Sequence, residues 1–188
     1  MKSFSLLALA ALVYATPVAA QDRIELWADQ NRSTCSISEP ISPPIVQIHI
    51  FINGPVGATG VRFTAEKPAC WLGATWLGDA LVPGAVNVSN SQYDWSIAFG
   101  GCTVPNEPSY LGAISYLISN QALPCCIVDA LPAGQLHYFM FTDCDFGEHS
   151  LEPTKSVVVN PNESCGCQSA VLTAVETTSW GRVKALYR

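Results

Sequence analysis

The chain has 188 residues, enough for one domain with a substantial core. Only 13% of the residues are charged, and the formal net charge is −6 at pH 7. This acidic balance argues against a nucleic acid partner, because binding to phosphates depends on clustered lysine and arginine. The hydrophobic share of 49%, which includes five tryptophans, excludes an intrinsically disordered chain.

Residues 1–20 have the pattern of a signal peptide. Lys2 precedes an apolar run, and the small residues of Val18-Ala19-Ala20 predict cleavage after Ala20. The alternative is a membrane anchor, but the run is shorter than the roughly 20 apolar residues that span a bilayer. We therefore expect an exported protein that is secreted, periplasmic or at the cell surface, with no transmembrane segment in the mature chain.

Apolar and polar residues alternate after the leader, as they do in β-strands that face a core on one side. Ile24 and Leu26 share one face of the first predicted strand. The run from Ile45 to Ile52 is apolar on both faces and predicts a central strand. The other predicted strands are Val61 to Ala65, Trp71 to Trp76, Tyr93 to Phe99, Ala113 to Ile118, Cys126 to Ala130, Leu136 to Thr142 and Ser156 to Val159.

The clearest one-sided stripe consists of Tyr93, Trp95, Ile97 and Phe99, and we predict that it lies in the core. About nine short strands, with Gly, Pro and Asn in the turns and no long helical pattern, predict an all-β protein. The expected fold is an antiparallel β-sandwich or jelly roll. We assign residues 21–160 to this domain, and residues 161–188 to a cysteine-containing turn and a basic C-terminal tail.

The cysteines all follow the leader, and their even number in an exported chain predicts disulfide bonds. The alternative is a metal site, but Cys125-Cys126 and Cys165-x-Cys167 do not have the spacing that zinc sites usually use. Cys125 and Cys126 are expected to bond different partners, because successive strand residues point to opposite faces. The pairing stays open among Cys35, Cys70, Cys102, Cys125, Cys126, Cys144, Cys165 and Cys167.

The order of features from Ile45 to Ile118 resembles that of cohesin modules. A first strand and a Gly-rich turn precede Val61-Arg62-Phe63-Thr64, and a Pro83-Gly84 turn, an aromatic strand and Leu111-Gly112-Ala113-Ile114 follow. The resemblance implies a cohesin-like β-sandwich that binds protein, and related sandwiches bind carbohydrate. It assigns no binding residue in this sequence.

The tail Ser179-Trp180-Gly181-Arg182-Val183-Lys184-Ala185-Leu186-Tyr187-Arg188 resembles a short C-terminal tail of otherwise dissimilar, uncharacterised exported bacterial proteins. That resemblance implies a sorting or anchoring signal. In a helix, Trp180, Val183 and Tyr187 would share one face, with the cations Arg182, Lys184 and Arg188 largely away from it. The alternatives are a final edge strand and a frayed terminus.

The richest polar cluster runs from Thr142 to His149 and is a candidate calcium site. Asp143, Asp145 and Glu148 offer carboxylate oxygens, the ligands that calcium prefers, but a bidentate Glu at the expected spacing is missing. The alternative is a solvated acidic turn after a strand. Asp29-x-Asn31-x-Ser33 is a weaker version of the same pattern.

Two tryptophans, Trp71 and Trp76, are candidates for stacking on sugars, because their spacing in an extended strand would turn one of them outward. The alternative is that both belong to the core. Asp94 and the acidic cluster offer carboxylates for glycoside hydrolysis, but no nucleophile motif such as G-x-S-x-G is present. We expect a non-catalytic exported module that binds protein or glycan. An extracellular polysaccharide hydrolase and a structural envelope or filament subunit are the alternatives.

Overall fold

The computed structural model describes residues 23–39, 44–54, 56–105, 107–134 and 139–167. This part of the chain is built of strands and turns, and none of it forms a helix suited to crossing a membrane. The strands are β1 (Arg23–Trp27), β2 (Ser36–Ile37), β3 (Ile45–Asn53), β4 (Ala58–Phe63), β5 (Ala74–Leu81), β6 (Val86–Val88), β7 (Trp95–Ala98), β8 (Ser109–Ile118), β9 (Cys126–Val128), β10 (Phe139–Asp143), β11 (Glu148–Lys155) and β12 (Val157–Val159).

The main sheet has the strand order β5-β8-β3-β1-β11-β10-β4-β7-β6. Its two halves meet in β11, which pairs antiparallel with β10 through Leu151 and parallel with β1 through Glu152. Buried side chains from both halves form one hydrophobic core, so the halves pack face to face as a β-sandwich. The predicted all-β sandwich is confirmed. A small second sheet has the order β2-β12-β9.

The core is filled by the inward side chains of both halves. Ile48 and Ile50 are fully buried on β3, which lies between β1 and β8, as predicted for a central strand. From the other half, Trp95 and Ile97 point inward, and the Trp95 ring lies 5.3 Å from that of Phe63. Burial of large aliphatic and aromatic side chains is the main stabilising contribution to this fold.

Strands β5 and β8 approach each other closely at Gly112. Its φ of +153° is one that residues with a side chain rarely adopt, and a Cβ atom there would lie 2.1 Å from the Ala80 carbonyl oxygen. Glycine is therefore required for this strand pairing.

The eight cysteines form four disulfides, Cys35–Cys167, Cys70–Cys126, Cys102–Cys144 and Cys125–Cys165. The prediction of disulfides is confirmed, as is the prediction that Cys125 and Cys126 bond different partners. Cys35 directly precedes β2, Cys125 directly precedes β9, and Cys126 begins β9. The bonds of these three cysteines therefore lie beside the small sheet. Through Cys165 and Cys167 they fasten the turn after β12 to the sandwich.

The predicted strand from Trp71 to Trp76 is wrong in its position. Strand β5 begins only at Ala74, and Trp71 lies in a turn, where its backbone N–H donates to the Pro68 carbonyl at 3.0 Å. The Trp71 side chain is fully buried against Tyr116, with ring centroids 4.9 Å apart.

Tyr93 does not belong to the core stripe, since its side chain is 70% exposed and β7 begins at Trp95. Its backbone N–H donates instead to the Asn90 carbonyl and closes a turn.

Three strands were not predicted: β2 and β6 are very short, and β11 contains charged residues and Pro153. The two short strands offer too few residues to establish an alternation, and β11 lacks the apolar alternation on which the prediction depends.

Candidate functional site

The outer face of the half sheet β10-β4-β7-β6 carries a shallow groove of about 620 Å³. The strand alternation explains its position, because Val61 and Phe63 point into the core while Gly60 and Arg62 point outward. The groove is lined by small or uncharged residues and a single charged one, namely Thr59, Gly60, Val61, Arg62, Val86, Val88, Ser96, Ile97, Ala98, Phe99, Gly100, Gly101, Met140, Thr142 and Phe146.

Large apolar side chains stand exposed around this groove. Val86 and Val88 on the edge strand β6 are 67% and 72% exposed, and Phe146 in the β10–β11 turn is 79% exposed. Val86 pairs with Ala98 of β7, so the apolar surface continues from the edge strand into the sheet. Single exposed apolar residues are ordinary, whereas a group of them around a groove is typical of an interaction surface.

The one charged residue in the groove, Arg62, is held by Asp94. Its Nε and Nη2 atoms donate to the two carboxylate oxygens of Asp94 at 2.7 and 2.5 Å. This bidentate bond holds the pKa of the Asp94 carboxyl below its ordinary value. The pair fixes the guanidinium and offsets its charge, which leaves the groove mainly apolar.

A disulfide joins two loops at one end of the groove. Cys102 follows Gly100 and Gly101, which line the groove, and its partner Cys144 lies in the turn that carries Phe146. Gly57 packs directly against this bond, because a Cβ atom there would lie 2.5 Å from the Cys102 Sγ atom. The bond therefore holds together the two loops from which the end of the groove is built.

The predicted acidic cluster folds into a turn organised by Asp143. One of its carboxylate oxygens accepts the backbone N–H groups of Asp145 and Gly147 at 2.9 and 2.7 Å. The other lies 2.6 Å from the His149 Nε2 atom. The hydrogen bond to His149, followed by the bond from Gly147, holds the pKa of the Asp143 carboxyl below its ordinary value.

This arrangement does not support the calcium hypothesis. Asp143 uses its oxygens within the turn, whereas Asp145 and Glu148 are exposed. In the part of the chain that the structure describes, no group of three or more His, Cys, Asp or Glu residues is placed to hold a metal ion. The weaker candidate, Asp29, instead accepts the backbone N–H groups of Asn31, Ser33 and Thr34 and closes a loop.

The two predicted sugar-stacking tryptophans differ in burial. Trp71 is fully buried, and its Nε1 atom donates to Glu39 at 3.0 Å, so its ring has no face exposed to solvent. Trp76 is partly buried against the core and donates to Asp79 at 3.0 Å. Trp71 therefore presents no open platform, and sugar binding at the partly exposed Trp76 stays a prediction.

The tail residues Trp180, Arg182, Val183, Lys184, Tyr187 and Arg188 lie outside the described residues, as do the leader and His137. The sorting hypothesis therefore stays a prediction.

The histidine His49 is largely buried on the outer face of β3, where its Nδ1 atom lies 3.1 Å from the Tyr110 hydroxyl. Burial lowers the pKa of His49.

The sequence interpretation did not find the groove residues Val86, Val88 and Phe146. The Val86-Asn87-Val88 alternation was the available signal, but three residues are too few to distinguish a strand from a loop. Phe146 stands among acidic residues and Gly147, in a segment interpreted only as a polar turn. Their meeting around one groove depends on the pairing of β6, β7, β4 and β10.

Solved structures of cohesin modules share this architecture. The cohesin module of a family 33 glycoside hydrolase from Clostridium perfringens has a TM-score of 0.55 at 10% identity, over 77% of this chain and 100% of that chain. A type I cohesin from Clostridium thermocellum, solved in a complex with a dockerin, has a TM-score of 0.48 at 8% identity, over 76% and 99%. A non-cellulosomal cohesin from Archaeoglobus fulgidus has a TM-score of 0.46 at 12% identity, over 77% and 94%.

No protein-family profile and no curated protein matches the sequence significantly. The likeness to the Clostridium perfringens module covers the length of that module and concerns the path of the chain rather than its residues. It agrees with the resemblance in the sequence and with the observed strand pairing. The chain therefore has the cohesin-like β-sandwich fold.

Proposed function

We propose that this chain is a non-catalytic protein-binding module and that the groove on the β10-β4-β7-β6 face is its binding surface. The exposed group of Val86, Val88 and Phe146 around an almost uncharged groove carries the proposal. Burying these side chains against a partner would contribute roughly 25 cal/mol for each Å² of apolar surface removed from water. A shallow, mainly apolar groove on a sheet face is suited to another protein surface.

A protein partner is favoured over a glycan by the side chains in the groove. Sugar-binding surfaces depend on exposed aromatic faces, and Phe146 is the one aromatic ring that stands exposed there. The rest of the lining is mostly valine, isoleucine, alanine, methionine and glycine, and its polar members are Thr59, Ser96, Thr142 and the Asp94-bonded Arg62. Such residues offer shape and apolar area but few of the polar groups that would orient a sugar.

A catalytic role has less support than a binding role. The carboxylates considered for hydrolysis are engaged, with Asp94 bonded to Arg62 and Asp143 bonded within its turn. Structural ion pairs and turn-forming carboxylates explain the lowered pKa values of these groups without a reaction.

The module is proposed to act outside the cytoplasm. Four disulfides are consistent with an oxidising compartment, since cytosolic proteins rarely retain such bonds. The signal peptide pattern of residues 1–20 and the tail are proposed to direct export and sorting.

Photo-cross-linking in the producing cells tests the binding surface. A photoreactive phenylalanine analogue replaces Val88 in the groove, and a matched control replaces Leu77, which is 51% exposed on β5 in the other half of the sandwich. We expect a second protein to be cross-linked from position 88 and not from position 77. Equal cross-linking from both positions, or none from position 88, would overturn the proposal.

A further inference from the structure

We propose that the basic segment 177–188 of this same chain occupies the groove when no partner is bound. This inference rests on the proposed function, because it names the occupant with which a partner would compete. The segment lies outside the described residues, but its composition and its distance along the chain from Cys167 are known from the sequence.

The segment carries apolar side chains that could pack against the apolar side chains of the groove. Trp180, Val183 and Tyr187 would share one face if the segment became helical on binding. Such a short segment is only marginally helical alone and needs a surface to order it. The exposed Val86 and Val88 at the edge of the groove provide apolar area for that face.

The charges of the segment are complementary to one rim of the groove. Residues 177–188 contain three cations and no acid, whereas the chain as a whole has a net charge of −6. Asp145 and Glu148 are exposed in and next to the turn that carries Phe146. Glu148 pairs with Thr142, a residue that lines the groove, so an acidic group stands on the groove face at this rim.

The chain is long enough for the segment to reach the groove of its own domain. Cys167 is fastened to Cys35, and twelve residues, 168–179, separate it from Trp180. Extended, they span about 40 Å. A domain of this size has a radius of gyration of about 15 Å. A tether of this length holds the segment at an effective concentration in the millimolar range, which favours the groove of its own domain over that of a second copy.

The test uses the purified full-length protein with the photoreactive residue at position 88, and the same control at position 77. We expect digestion and mass spectrometry to find an intrachain cross-link from position 88 to residues 177–188, at a yield independent of protein concentration. Reversing both rim charges, with Asp145→Lys and Glu148→Lys, should reduce this yield about tenfold. Arg182→Glu with Lys184→Glu should restore part of it.

Each other outcome has a defined meaning. If position 88 gives no cross-link to the segment, or position 77 gives an equal one, the inference is wrong. A yield that falls on dilution means that a second copy is the occupant, which also overturns it. Unchanged melting temperatures and an absence of free thiols in the variants show that the fold is intact. If a partner is cross-linked in cells but the purified protein gives no intrachain cross-link, only this inference is wrong. If the intrachain cross-link forms but no partner is found in cells, only the proposed function is wrong.

Discussion

Cys102 is bonded to Cys144 with their Cα atoms 5.6 Å apart, and this bond joins the loop after β7 to the turn between β10 and β11. Both loops line the groove, through Gly100 and Gly101 on one side and Phe146 on the other. A cross-link that lies at the candidate binding surface has two separable effects, one on stability and one on the shape of that surface.

Replacing Cys102 and Cys144 together by serine is expected to lower the free energy of unfolding by about 2 to 4 kcal/mol, because the bond closes a long loop in the unfolded chain. The other three disulfides should keep the sandwich folded. Urea denaturation measures the loss. Faster hydrogen exchange confined to the loop at residues 100–103 and the turn at 144–147 would show that the groove end has loosened. Unchanged exchange in both loops would contradict this role.

Gly112→Ala is expected to destabilise the protein by about 2 to 4 kcal/mol, because the new Cβ atom meets the Ala80 carbonyl oxygen in an unfavourable backbone conformation. Gly101→Ala is the matched control, since a Cβ atom there meets no atom within 4 Å. Thermal unfolding compares the two variants. Equal melting temperatures would show that β8 can move away from β5 without cost.

The Asp143–His149 pair predicts a loss of stability in acid. A carboxyl whose pKa is lowered by folding stabilises the native state above its unfolded pKa, and this contribution is lost as the pH falls through the lower folded value. For Asp143, whose ordinary pKa is 3.8, the loss falls below about pH 4. His149→Ala should raise the pKa of Asp143 toward 3.8, as measured by NMR titration of its carboxyl carbon. An unchanged pKa in this variant would assign the shift to the backbone bonds from Gly147 and Asp145.

Calcium is expected to have little effect on the melting temperature, because the oxygens of Asp143 already accept hydrogen bonds within the turn. Differential scanning fluorimetry across a calcium titration, with magnesium as the control, measures this. A large saturable rise that Asp143→Ala abolishes would contradict the expectation.

Deletion of residues 180–188 is expected to leave the sandwich folded and to change where the exported protein is found. The core stripe and every cysteine precede this segment. Cell fractionation compares the full and shortened proteins, and melting temperature and free thiol content show whether both are folded. Identical distributions with an unfolded shortened protein would assign the tail to the fold instead.

The sequence alone determined the all-β class, the central strand, the burial of Trp95 and the presence of disulfides. Each of these depends on a local rule. Apolar residues on both faces of Ile45 to Ile52 require cover on both sides, and an even number of cysteines behind an export leader indicates disulfide bonds. Such rules operate within a few residues and survive any tertiary arrangement that provides a core.

Only the tertiary structure decided the cysteine pairing, the burial of Trp71 and the groove. Cys35 and Cys167 are 132 residues apart, and no local pattern indicates that distant segments meet. Strand β11, polar and interrupted by Pro153, joins the two halves of the sheet because backbone hydrogen bonds do not require apolar side chains. The groove depends on strand pairing in the same way. Val88 and Phe146 lie on one surface only because four strands from three parts of the chain have paired.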